Sequence, residues 1–197
     1  MVNAMKRICV FCGSSTGARA DYAAAARHLA ATMKSRNISL VFGGSNVGLM
    51  KIIADEMMAA GREVIGVIPE ALVKWEVAHE GLTKLHVVSS MHERKAMMAD
   101  LSDGFIALPG GFGTFEEFCE IITWAQLGFH RKPCGLLNVA GYYDPLLRMF
   151  DHATAERFVR PEYRRLVLAA AEADELLDLM MNYQPPEITR WIDRSET

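Results

Sequence analysis

The chain of 197 residues leans to no extreme, and each missing extreme removes a class of function. Its charge is nearly balanced, with 21 Lys and Arg against 24 Asp and Glu and a formal net charge of −3. No basic excess exists to hold a nucleic acid or an acidic membrane surface, so an anionic ligand must be held by a local cluster of donors. No apolar run approaches the ~20 residues needed to cross a bilayer. The run Ile8-Cys9-Val10-Phe11-Cys12, which follows Lys6 and Arg7, is too short for a signal-peptide core, and Gly13 ends it. The chain is therefore expected in the cytoplasm. Cysteines are few (Cys9, Cys12, Cys119 and Cys134), and in that compartment they should be free thiols. Cys9 and Cys12 form a C-x-x-C, but on a strand an offset of three sends the two thiols to opposite faces, which favours core thiols over a metal or redox pair. No histidine pair has the spacing of a zinc helix site, and no metal is expected. Internal repeats and low-complexity segments are absent too. A complete G-x-G-x-x-G fingerprint is missing: Gly111-Phe112-Gly113 supplies its first half, with Glu116 where the third glycine should stand. That weakens the case for a dinucleotide-dependent oxidoreductase.

What is present is an ordinary globular composition, 51% hydrophobic and 23% charged, enough for a real core. The length suits one domain over residues 1–183, with a tail over 184–197 opened by Gln184-Pro185-Pro186. Short apolar, β-branched runs alternate with helical patterns. Strands are predicted at Arg7–Cys12, Ile38–Phe42, Val64–Ile68, Lys84–Val88, Gly104–Leu108, Gly135–Val139 and Arg165–Leu168. Helices are predicted at Asp21–Arg36, Val47–Ala60, Met91–Leu101, Thr114–Leu127, Asp144–Phe158 and Ala173–Met181. Such alternation, with strands apolar on both sides, indicates an α/β fold: a Rossmann-like, doubly wound parallel sheet with helices on both faces. Ligands of such sheets sit past the carboxyl ends of the strands. Small and polar residues gather at those ends, in Gly13-Ser14-Ser15, Gly43-Gly44-Ser45, Pro69-Glu70, Ser89-Ser90 and Pro109-Gly110-Gly111.

The strongest signal is Pro109-Gly110-Gly111-Phe112-Gly113-Thr114-Phe115-Glu116-Glu117. It leaves a predicted strand and enters a helix. Gly110, Gly111 and Gly113 allow positive φ and close backbone approach, and the helix start offers unpaired N–H groups at the positive dipole end. Thr114 can cap the helix or donate its hydroxyl to a phosphate. Glu117 stands three residues after Thr114, which is capping-box spacing; its other reading is a carboxylate one turn from a bound phosphate, where it could activate water or stabilise a cation. Glu116 points about 100° away around the helix, so the two do not work as a pair. Arg94 and Lys95 lie early in a helix, where its dipole disfavours a cation and a bound anion would relieve the penalty; Arg94 adds a bidentate fork suited to phosphate or ribose oxygens. Gly43 and Gly44 belong to a second glycine turn, which serves either a ligand or close strand–helix packing. Gly13 and Ser14 could hold another part of a ligand or form an ordinary turn. Trp75-Glu76 sits in a loop where it could face a base or ribose. Trp124, Met97 and Met98 read as core.

These residues resemble a known family. The stretch Pro109–Glu117 is similar to the P-G-G-x-G-T-x-x-E signature of the LOG ("Lonely Guy") proteins, which are cytokinin riboside 5′-monophosphate phosphoribohydrolases formerly labelled "lysine decarboxylase family". The resemblance spans about residues 7–182 and includes Cys12-Gly13-Ser14-Ser15, Leu40–Met50, Val64–Pro69, Met91–Lys95, Ile122–Gly128 and Gly135–Asn138, in order. It implies cleavage of the N-glycosidic bond of an adenine-type nucleoside 5′-monophosphate to free base and ribose 5-phosphate, without a cofactor. By position, Arg94 and Glu117 match the family's catalytic pair; Glu76, Lys95, Gly111–Thr114 and Thr123 match its substrate contacts. The resemblance also implies a homodimer with the site near the subunit interface. Ser45 departs from a commoner glycine and Lys51 from a commoner small residue, which touches nucleotide preference more than chemistry. The decarboxylase label fits poorly, because that reaction needs pyridoxal phosphate on a lysine, and no lysine here is marked out for it. The alternative in a different class is a nucleotide-binding carrier of the same fold without catalysis.

Overall fold

The computed structural model describes residues 5–73 and 78–187. Seven strands form one all-parallel sheet in the order β4-β3-β2-β1-β5-β6-β7. They are β1 (Arg7–Phe11), β2 (Ser39–Phe42), β3 (Val64–Pro69), β4 (Lys84–Val88), β5 (Gly104–Ala107), β6 (Cys134–Leu137) and β7 (Val167–Ala170). The helices are α1 (Ala20–Ser35), α2 (Gly48–Ala59), α3 (Glu70–Val73), α4 (Met91–Leu101), α5 (Phe112–Gln126), α6 (Asp144–Ala155), α7 (Pro161–Arg164) and α8 (Ala173–Met181), with a 3-10 turn at Val139–Gly141. The expected doubly wound α/β architecture is the one observed.

Side-chain alternation on the central strand explains the layering. Ile8, Val10 and Cys12 enter one core with residues of α1, α2 and α8, such as Leu29, Ile53 and Leu176. Cys9 and Phe11 enter the other with Met98, Phe118 and Ile121 of α4 and α5. The period of two on a strand puts neighbouring residues on opposite faces, so Cys9 and Cys12 belong to separate cores and remain free thiols. Burial raises both thiol pKa values, the Glu117 carboxylate adds to the rise, and Arg94 offsets only part of it.

The chain runs outward from β1 through β2 and β3 to β4, then returns to β5 and runs outward the other way. Val10 therefore pairs with Phe42 on one side and Ile106 on the other. This reversal opens a crevice beyond the carboxyl ends of β1 and β5, where doubly wound sheets bind ligands. The return is made by α4, which touches β4, β3, β2 and β1 on its way across the sheet.

Three local expectations are corrected. Helix α5 begins at Phe112, with Gly111 as its N-cap, two residues before the predicted start; among the described residues a Cβ on Gly113 would meet nothing within 4 Å, so no clash bars the earlier start. The last strand is Val167–Ala170 rather than Arg165–Leu168, because Pro161 opens a helical turn that runs to Arg164. Strand β4 is not apolar on both sides: Lys84 and Val87 are exposed, as suits an edge with no neighbour beyond it.

Candidate functional site

The site grows from the turn between β5 and α5. The chain leaves Ala107 and reaches its N-cap at Gly111. Gly13, at the end of β1, donates its N–H to the Pro109 carbonyl at 3.1 Å, so the two central strands are tied at the switch point. A Cβ on Gly13 would lie 3.2 Å from the Gly110 Cα, and one on Gly110 would lie 2.1 Å from Thr114 Oγ1. Both glycines are there because backbone meets backbone or a buried hydroxyl. Gly111 and Gly113 differ: among the described residues a Cβ on either would meet nothing within 4 Å. No internal contact calls for glycine at these two positions, which leaves the open space beside them as the reason.

That space is a cavity of about 220 Å³. Gly13 and Ser14 wall it on the β1 side, Gly111, Gly113 and Thr114 at the start of α5, and Arg94 and Glu117 at its depth. The first turn of α5 offers N–H groups without intrahelical partners; Phe115 is the first residue of the helix whose N–H reaches a helix-start carbonyl, that of Gly111 at 3.1 Å. An anion placed there meets free donors and the positive end of the dipole.

Arg94 and Glu117 are both buried, 8% and 9% exposed. Arg94 Nη1 lies 3.2 Å from Glu117 Oε1, and Arg94 Nε donates to the Val67 carbonyl of β3 at 3.1 Å. Gly43 completes the socket, since a Cβ there would stand 2.2 Å from Arg94 Nη2. The guanidinium is thus fixed by a strand end, a helix carboxylate and a glycine turn. Burial raises the Glu117 carboxyl to about 7, although Arg94 pulls it back and Lys95 does so more weakly. A carboxyl with a midpoint near neutrality is half ionised at pH 7 and can hold or release a proton.

The helix start also removes one of the two readings of Glu117. With Gly111 as N-cap, Thr114 is the third helical residue and Glu117 lies in the second turn, so the capping-box reading is excluded. A capping arrangement does occur at α4. There Ser90 accepts from the Glu93 N–H at 3.1 Å, and the Glu93 carboxylate accepts from the Ser89 N–H at 2.8 Å. The Ser89 hydroxyl, which donates to the same carboxylate at 2.7 Å, and then the Ser89 N–H hold Glu93 below the usual carboxylate range.

Of the remaining predicted residues, Gly44 turns away from the cavity with φ of 78°, its Cα packed under Gly66. Lys95 does not line the cavity. Its Nζ is held between Glu116, at 2.5 Å, and Glu120, at 2.9 Å. Thr123 is exposed and donates its hydroxyl to the Cys119 carbonyl of its own helix at 2.8 Å. It follows Glu116 by seven residues and shares that outer stripe of α5. Glu76 and Trp75 lie outside the described residues. Sequence patterns missed Met50 and Met98 as cavity residues, whereas Phe112 falls inside the Gly111–Thr114 stretch that the resemblance singled out. The two methionines carry the signature of core, which they also are. Phe112 alone had a usable signal, an aromatic between glycines at a helix start, and it is 92% exposed.

The geometry bears on the decarboxylase label. A Schiff-base lysine is activated by a lowered pKa. Lys95, the lysine adjacent to the site, is instead raised: its two carboxylate partners outweigh its burial. Among the described residues, no lysine lines the cavity. These residues do not fit pyridoxal phosphate.

A family described as "Possible lysine decarboxylase" matches residues 50–180. The chain is 53% identical over 177 residues to "Probable cytokinin riboside 5′-monophosphate phosphoribohydrolase LOGL1" of Oryza sativa subsp. japonica, covering 90% of this chain and 79% of that one. It is 51% identical over 180 residues to "Cytokinin riboside 5′-monophosphate phosphoribohydrolase LOG1" of Arabidopsis thaliana, covering 91% and 84%. The chain belongs to the LOG family. Among solved structures, the LOG-family chain shares its fold with the molybdenum cofactor binding protein of Rippkaea orientalis, with a TM-score of 0.66, 21% identity, and 88% of this chain and 94% of that one covered. The molybdenum cofactor carrier protein of Chlamydomonas reinhardtii gives a TM-score of 0.67, 20% identity and coverage of 88% and 95%. At that identity the likeness concerns the fold alone.

Proposed function

We propose that this LOG-family chain hydrolyses the N-glycosidic bond of adenine-type nucleoside 5′-monophosphates, a cytokinin riboside 5′-monophosphate or AMP, to the free base and ribose 5-phosphate. The observation that carries the proposal is the buried Arg94–Glu117 pair set at the depth of a cavity whose wall is the start of α5. The 5′-phosphate rests on the N–H groups of Gly111–Thr114 and on the Thr114 hydroxyl. A cavity of about 220 Å³ is small for a ligand site, which usually measures about 300–1,000 Å³. It accommodates the ribose phosphate and leaves the base at the lip, beside Phe112.

The bond from C1′ to the base nitrogen breaks with its electron pair leaving on the base, and positive charge develops on the ribose, as in glycoside cleavage. Ionised Glu117 stabilises that charge and takes a proton from the water whose oxygen bonds to C1′. That proton balances the one the leaving base acquires. Arg94 keeps Glu117 in place, favours its ionised form and faces the sugar phosphate. Free cysteines suit a cytoplasmic enzyme, and we assign it there as a homodimer, with the small-molecule nucleotide as its partner. No described helix is long and apolar enough to cross a membrane.

The test is incubation of the purified protein with AMP and with isopentenyladenosine 5′-monophosphate, following free base by chromatography. Release of base from at least one is expected, and the ratio of rates sets the substrate class. Saturable nucleotide binding without release from either would replace the enzyme with a carrier.

A further inference from the structure

The turn that forms the anion cradle is held from behind by two consecutive tyrosines. Tyr143 is buried, and its hydroxyl donates to the Leu108 carbonyl at 2.6 Å. The Tyr142 hydroxyl donates to the Gly110 carbonyl. Between them, the Pro109 carbonyl accepts from Gly13 N–H at 3.1 Å. Three successive carbonyls of the turn are therefore fixed by the protein itself.

The two tyrosines are themselves fixed. Asn138 accepts the Tyr143 N–H at 2.7 Å and donates to Asp144 at 2.7 Å, which sets the start of α6. The Tyr142 ring packs edge-on to Tyr22 and Tyr143 at 5.6 and 5.1 Å and lies nearly parallel to Phe115. Four rings from α1, α5 and the start of α6 thus aim one hydroxyl at one carbonyl.

The peptide bonds here are trans. In a trans peptide the C=O of one residue and the N–H of the next point in opposite directions. Holding the Gly110 carbonyl on the Tyr142 side therefore turns the Gly111 N–H the other way, toward the cavity that Gly111 lines. Gly111 has no side chain to bias that peptide plane, and among the described residues nothing lies within 4 Å of where its Cβ would be. Left alone, a glycine peptide is free to flip. Tyr143 exerts no such control, because the residue after Leu108 is Pro109, which has no N–H.

We propose that Tyr142 is a positioning residue for phosphate recognition: its hydroxyl locks the Gly110–Gly111 peptide so that the Gly111 N–H serves as a standing donor to the 5′-phosphate. This rests on the reading of the site as a nucleoside 5′-monophosphate site. Tyr142→Phe keeps the ring packing and removes only the hydroxyl. Tyr143→Phe removes a hydroxyl–carbonyl bond of the same kind with no donor attached to it, and is the control.

The experiment measures KM and kcat for AMP or its isopentenyl analogue, the inhibition constant of ribose 5-phosphate, and Tm, for the native protein and both variants. Tyr142→Phe should raise KM and the ribose 5-phosphate inhibition constant together, about three- to tenfold, the range for one lost hydrogen bond, with a smaller change in kcat. Tyr143→Phe should lower Tm with both constants within twofold of native. Equal effects of the two variants on KM, or unchanged constants in Tyr142→Phe with Tm alone reduced, would overturn the proposal and leave Tyr142 a structural residue. A native protein that binds ribose 5-phosphate but releases no base would overturn the enzyme reading instead, and the inhibition arm, run as direct binding, still decides the role of Tyr142. A native protein that binds no ribose 5-phosphate would overturn both.

Discussion

Replacing Arg94 by Gln should move the ionisation of Glu117 upward, and the size of the move follows from the pair's geometry. The charges stand 3.2 Å apart in a buried setting. At an effective dielectric of about 20, the attraction at that separation is about 5 kcal/mol. Since about 1.4 kcal/mol corresponds to one pH unit, full loss of the attraction would raise the Glu117 midpoint by nearly four units. Gln is shorter, and water entering the vacated space solvates the carboxylate and recovers part of that loss. A rise of about two units remains, from about 7 in the native protein to about 9 in the variant. Catalysis through ionised Glu117 makes kcat/KM climb with pH through this midpoint. The alkaline displacement should therefore appear as a shifted limb in rates measured between about pH 5 and 10. Carbon-13 labelling of glutamate carboxyls gives the same midpoint by NMR without relying on turnover. A limb and an NMR midpoint that stay within a few tenths of a pH unit of native, or move toward acid, would refute the claim that Arg94 sets the ionisation of Glu117.

Glu117→Gln should lower kcat by a factor on the order of 10²–10⁴, as expected for loss of one acid–base group, while calorimetry finds AMP affinity within about threefold of native; full activity would remove Glu117 from the mechanism. The same variant tests stability. The raised midpoint means that the folded protein holds a proton which the unfolded chain releases between about pH 4.5 and 7, so native stability falls as pH rises through that window. Gln cannot titrate, and its stability relative to native should improve by about 2–3 kcal/mol from pH 5 to pH 8 in urea unfolding; a flat difference would contradict the raised midpoint. The two kinds of glycine should separate under alanine substitution. Gly43→Ala places a Cβ against the Arg94 guanidinium, so activity should fall at least tenfold together with a loss of stability of about 1–3 kcal/mol. Gly113→Ala sits in open space inside a helix, so it should stabilise the free protein by up to about 1 kcal/mol while weakening nucleotide binding at least tenfold, read by thermal unfolding and calorimetry.

The sequence alone determined the layers, the parallel sheet and the edge on which the loops converge. Strand alternation in Ile8–Cys12 and the apolar helix faces are local patterns with local periods, legible without a partner in view. The glycine turn at Pro109–Glu117 was legible for the same reason, as a strand end, a helix start and small residues adjacent in the chain. Only the tertiary structure decided what depends on which distant groups meet. Glu117 could be a helix cap or a carboxylate turned to the cavity until the start of α5 at Phe112 put it in the second turn beside Arg94, 23 residues earlier in the chain. Gly43 could be packing or ligand edge until α4, crossing the sheet from β4 to β5, laid the Arg94 guanidinium against it. Lys95 carries the same charge one residue further on, yet it reaches the outer stripe of α5 and the Glu116 and Glu120 carboxylates. One residue is about 100° around a helix, and which of those directions faces a cavity is fixed by the packing of α4 and α5 on the sheet.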